Sequence, residues 1–136
     1  MKTEKHEEIL KEVLDEIESA LKNNKGLLAH QRRLAFVLSL GAVNLLEMFL
    51  HKLDIIKEGS KIDHRWFKKK EETILEQIQK QIISPINSLN NLKEIIKLIS
   101  KIEEKRDDLA YGAPSTEKVL QEKINLFFEL KELTKC

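Results

Sequence analysis

Apolar residues recur every three to four positions along nearly the whole chain, the spacing that gathers side chains on one face of an α-helix. Leu10, Leu14, Ile17 and Leu21 open the series, with Val13 and Ala20 widening the stripe. Thr3 suits its N-cap, Glu4, Glu7 and Glu8 suit the positive end of its dipole, and Gly26 supplies a stop. The next segment, 27–57, is apolar on most sides through its middle, as expected of a central helix. Within it Ala35, Ser39 and Ala42 share a face beside Gly41, a stripe along which another helix can come close. Gly41 costs up to about 1 kcal/mol relative to Ala inside a helix, which predicts a compensating contact or function.

KEGSKIDH (57–64) reads as the first clear loop, with Gly59 as terminator and Ser60 or Asp63 as the next cap. A third helix is expected to run to about Ile83, burying Trp66 or Phe67 with Ile74, Leu75, Ile78 and Ile82. Pro85 breaks the pattern, since it lacks the donor a helix interior needs. The third and fourth helices are then either separate at Pro85 or one kinked helix. Leu89, Leu92, Ile95, Ile96, Ile99 and Ile102 mark the fourth, ending near Tyr111 and Gly112. Ser115 or Thr116, just past Pro114, caps a fifth with Val119, Leu120, Ile124, Phe127, Phe128 and Leu130. The pattern predicts a single all-α domain over residues 1–136, an antiparallel bundle of four to five helices.

Composition supports that class. The 136 residues are 41% hydrophobic and 35% charged with 4 Gly and 2 Pro, too few turn residues for a many-stranded fold. A formal charge of +1 marks no bulk field for nucleic acid or acidic ligands. The one cysteine, Cys136, allows no internal disulfide and no cysteine-rich zinc cage. The charged start does not read as a signal peptide, and the apolar run Leu34–Leu50 is interrupted by Ser39, Asn44 and Glu47. The expectation is a reducing, cytoplasmic location away from membranes. Phosphate loops, nucleophile elbows, His-Glu-x-x-His and Glu-x-x-His pairs are all missing from the sequence, so no metal and no cofactor is expected.

Three features carry candidate chemistry. Arg65, Lys68, Lys69 and Lys70, with Lys61 nearby and Trp66 and Phe67 among them, form the one locally basic stretch. It can track phosphates with an aromatic for stacking, or be a solvated helical turn with its aromatics inward. Asn44, Glu47 and His51 lie three and four apart on an apolar helix, so they face water or line a cleft or dimer seam. Arg106, Asp107 and Tyr111 sit in a charged junction, where Arg106 and Tyr111 are about 140° apart on a straight helix. They converge only if the helix unwinds there or two chains meet.

The junction and the layout around it resemble a HEPN domain, the small all-α module of many prokaryotic toxins and defence proteins. That family's hallmark is Arg, a polar residue, several further positions and then His. Arg106 and Asp107 match its first two residues, and Tyr111 stands at the His position. NLLEMFLH (44–51), the loop EGSKIDH, and LAYGAPS leading into INLFFELKEL fit the surrounding layout.

The resemblance implies a homodimer whose Arg motifs face one cleft, and catalytic members are metal-independent endoribonucleases. Some members pair with a nucleotidyltransferase that modifies a Tyr two residues after the His, where this chain has Ala113. An unperturbed Tyr is about one-thousandth ionised at neutral pH, so as a general base it loses about three orders of magnitude relative to His. A phenol still donates to phosphate and stacks on bases. The expected function is therefore RNA or nucleotide binding with little or no turnover. The alternatives are a metal-independent ribonuclease in which Tyr111 or His64 replaces the lost base, and a non-enzymatic protein-interaction module paired with a nucleotidyltransferase.

Overall fold

The computed structural model describes residues 3–135 and is an all-α bundle. Its helices are α1 (Thr3–Lys22), α2 (Gln31–Lys52), α3 (Glu71–Gln79), α4 (Leu92–Glu103), α5 (Arg106–Tyr111) and α6 (Glu117–Leu133). Cys136 lies outside the described residues. Turns of 3-10 helix at Leu27–His30, His64–Lys68 and Ile86–Ser88 link the longer elements.

α2 is the central element, packed by α1, α4, α5 and α6, and this explains why so few of its sides are polar. Leu34, Leu38, Leu45, Leu46 and Leu50 are buried along it, against Val13 and Ile17 of α1, Ile95 and Ile99 of α4 and Phe127 of α6 in one continuous core. With the turn before it, Leu27–Lys52 is long and apolar enough to cross a membrane by length and composition, yet 67% of an apolar 18-residue stretch within it is buried inside the bundle. The small-residue stripe is used within the chain. A Cβ on Gly41 would stand 2.7 Å from a ring carbon of Phe127 and 3.0 Å from Val13, so Gly41 lets side chains of α1 and α6 come close to the α2 backbone. Ala35, Ser39 and Ala42 are likewise buried, and the stripe presents no seam to a second copy.

The expected boundaries shift where local hydrogen bonding outweighs periodicity. α2 ends at Lys52 rather than near 57, where Asp54 takes a left-handed backbone with φ 58°. The expected third helix divides: Asp63 accepts from the Arg65 N–H and starts a 3-10 turn, and α3 begins only at Glu71. Pro85 separates α3 from α4 completely, because the chain passes through another 3-10 turn before α4 starts at Leu92. Thr116 caps α6 as expected, its hydroxyl accepting from the Val119 N–H at 3.1 Å.

The decisive departure lies between α4 and α5. The expected fourth helix stops at Glu103, and Lys105, with φ 60°, turns the chain before Arg106 starts a new six-residue helix. The ammonium of Lys123 on α6 donates to the carbonyls of Lys101, Ile102 and Glu104, satisfying the end of α4. Burial lowers the pKa of that amine.

Candidate functional site

The break before Arg106 re-aims three residues of the junction. Glu103, the last residue of α4, is only 1% exposed, and its carboxylate faces α2 and the 3-10 turn at 64–68. It accepts from the Ser39 hydroxyl at 2.7 Å and from Nδ1–H of His64 at 2.6 Å. Nε of Arg106 stands 3.9 Å from the same carboxylate without a hydrogen-bond partner of its own. Arg106 lays its guanidinium over the Phe36 ring, 5.0 Å from the centroid, so a cation–π contact and a buried anion hold it together. Its Nη1 donates to Asp107 at 2.9 Å, and the other oxygen of Asp107 accepts from Lys68 at 2.8 Å. The Lys68 hydrogen bond, with a smaller contribution from Arg106, holds the Asp107 carboxyl below its ordinary pKa.

His64, Arg106 and Lys68 thus gather on one face through two carboxylates, Glu103 beneath and Asp107 at the rim. The His64 side chain is 32% exposed while its anchoring carboxylate is buried, an arrangement that fixes the ring through Nδ1. A hollow of about 330 Å³ lies beside this group, lined by Phe67, Lys68, Lys101, Glu103 and Lys105.

Tyr111 joins from the other end of α5. Its ring meets Phe36 edge-on at 5.8 Å and is 72% exposed. Arg106 and Tyr111 therefore converge on one α2 ring, although they do not line a common cavity. Gly112 closes the turn behind the tyrosine, where a Cβ would come within 2.5 Å of the Asp108 carbonyl. Gln31 ties down the same turn, donating to the carbonyls of Leu109 and Ala113 and accepting from the Ser115 N–H.

The other expected site residues divide. Arg65 is clamped on Asp63, whose carboxyl that hydrogen bond brings down to about 2. Lys69 and Lys70 are exposed, Phe67 is buried and Trp66 is half-buried, so the basic stretch has its aromatics inward and only Lys68 reaches the Arg106 group. Asn44 and Glu47 line neither a cleft nor a seam. They face α1, where the fully buried His6 donates from Nδ1 to Asn44 at 2.7 Å, and the Asn44 amide donates to the Leu40 carbonyl. Glu47 accepts from the Ile62 N–H and sits 3.5 Å from Nε2 of His6. His51 packs its ring 5.3 Å from that of His6, and burial, then His6, lowers its pKa. This triplet is an internal brace between α1, α2 and the following loop.

The sequence offers no sign of Phe36, and places Ser39 only in the small-residue stripe and Glu103 only in the charged junction. The one signal was Glu103 falling in phase with Ile96 and Ile99, a carboxylate on the apolar stripe of α4. Among the described residues no cluster of three or more His, Cys, Asp or Glu could hold a metal. Comparison with known proteins finds no matching family model, no matching curated protein and no matching solved structure.

Proposed function

We propose that this chain is a HEPN-like protein that binds RNA or a nucleotide through the face formed by Arg106, His64 and Lys68, with Tyr111 beside it. The observation that carries the reading is the sharing of carboxylates: His64 and Arg106 meet at Glu103, and Arg106 and Lys68 meet at Asp107. Groups about forty residues apart in sequence are brought together, where a phosphate can exchange with the exposed Asp107 carboxylate for the Lys68 ammonium and the Arg106 Nη1. Replacing Arg106 by Ala is expected to weaken binding of a fluorescent single-stranded RNA at least tenfold with the helical content unchanged. Equal affinity for the variant and the parent rules this reading out.

One observation favours a second reading, ribonuclease activity. His64 is oriented by a buried carboxylate and stands beside a guanidinium, so it has the placement of a general base that Tyr111 lacks. In that reaction Nε2 removes the ribose 2′-hydroxyl proton and the 2′-oxygen attacks phosphorus. The bond to the 5′-oxygen breaks and that oxygen takes a proton from solvent, giving a 2′,3′-cyclic phosphate and a 5′-hydroxyl. Mapping RNA ends after incubation separates the readings. Cyclic phosphate ends lost in both His64→Gln and Arg106→Ala establish turnover; intact RNA leaves binding alone.

A further inference from the structure

Leu28, Arg32, Phe36 and Leu40 succeed one another at steps of four along α2 and the turn leading into it, and all four are exposed. Side chains four apart on a helix are neighbours, so this is a ridge of apolar groups interrupted by one cation. Tyr111 stands against its Phe36. Between the ridge and the α5–α6 turn lies a cavity of about 410 Å³, walled by Leu28, Arg32, Gly112 and Pro114 among others. That volume falls in the range of small-ligand sites.

Most polar groups on its wall are already engaged. His30 donates to Glu16 and accepts from Asn23, Gln31 is spent on the α5–α6 turn, and Arg33 is paired with Glu16. The Arg32 side chain has no hydrogen-bond or ion-pair partner among the described residues. A cavity whose walls mix apolar groups with engaged polar ones, a free guanidinium on it, and the exposed Tyr111 ring next in the chain to its Gly112 match a group that is flat and aromatic at one end and anionic at the other.

We infer that this cavity is a subsite for one nucleotide unit of a single-stranded RNA, its base against Tyr111 and Pro114 and its phosphate on Arg32. The inference rests on the RNA-binding reading of Arg106 and gives the strand a direction across the surface, from Arg32 past Tyr111 to Arg106. Unpaired bases offer a free face to an aromatic ring, whereas bases in a duplex are already stacked on one another.

Tyr111 is the only tyrosine, so incorporation of 3-fluorotyrosine gives one fluorine resonance at the site. The labelled chain is titrated with a single-stranded RNA hexamer, with the same sequence as a duplex, and with inorganic polyphosphate. The hexamer is expected to move the resonance upfield, and the other two to leave it in place. Arg32→Gln is expected to weaken hexamer binding about fivefold, and Tyr111→Ala about tenfold.

Tight hexamer binding with an unmoved resonance and no effect of Arg32→Gln overturns the subsite and leaves the Arg106 reading standing. No binding of any RNA by the parent chain overturns both. An equal shift with duplex or polyphosphate overturns base stacking. A shift produced by protein concentration alone assigns the cavity to a second copy of the chain and overturns the inference.

Discussion

Asp107 touches both cations of the candidate site, and its position makes a sharp prediction. It is an exposed counter-ion on Arg106 and Lys68, so an incoming phosphate must compete with it. Asp107→Asn keeps the shape and removes the competing charge. RNA affinity is expected to rise about threefold to tenfold, measured by anisotropy at low salt. A fall in affinity means that the carboxylate itself contacts the ligand. Asp63 offers a pH test in the same stretch. Its carboxyl, held at about 2 against an ordinary 3.8 by the Arg65 hydrogen bond, contributes stability that is present above the ordinary value and lost as pH falls through about 2. Carboxyl NMR titration is expected to find that low midpoint and to see it return toward 3.8 in Arg65→Gln.

At the scale of elements, α2 is built to be surrounded. Its one glycine lets Phe127 and Val13 close on it, and a methyl group there must displace an aromatic ring in a packed core. Gly41→Ala gains about 1 kcal/mol of helix propensity and loses about 1–3 kcal/mol to overpacking. A net loss of about 1 kcal/mol lowers the Tm by about 4 °C, read by thermal unfolding. An unchanged or higher Tm means that the ring moves aside freely. The amphipathic stripes of α1, α4 and α6 were legible from their spacing, because burial along a helix depends mostly on local order. The ends of α2 and α3 and the start of α5 were not. A left-handed Asp54 or Lys105 depends on what packs against the turn, and while Asp tolerates that conformation better than most residues, Lys gives no sign of it.

For the whole molecule, the question is which surfaces remain free once the bundle has formed. The small-residue stripe and the Asn44–Glu47 pair are both consumed by α1, α4 and α6. Leu40 remains exposed one helical turn beyond Phe36, and a homodimer of the kind the HEPN resemblance implies would pair through it and leave the Arg32 cavity open. Light scattering is expected to give twice the 15.9 kDa chain mass, and Leu40→Glu to return the single-chain mass. A monomeric parent chain removes the dimer from the reading. The basic stretch is tested by salt. Replacing Lys68, Lys69 and Lys70 by Gln is expected to reduce the slope of log affinity against log salt by about 1.4, two phosphate contacts on a single strand. An unchanged slope assigns these lysines to ordinary solvated surface.

The order of apolar and polar residues was sufficient to specify an all-α bundle, its central helix, the α6 cap at Thr116 and the side chains that fill the core. Each of these arises from interactions within a few residues or from the plain removal of apolar surface from water. The sequence also pointed to Arg106, Asp107 and Tyr111, but as groups on diverging faces. Only the tertiary structure interrupted the helix before Arg106, brought Ser39 and His64 to Glu103, and set Phe36 beneath both the guanidinium and the phenol. Those contacts join residues 39 to 75 positions apart, and no local pattern encodes which buried carboxylate a distant side chain will meet.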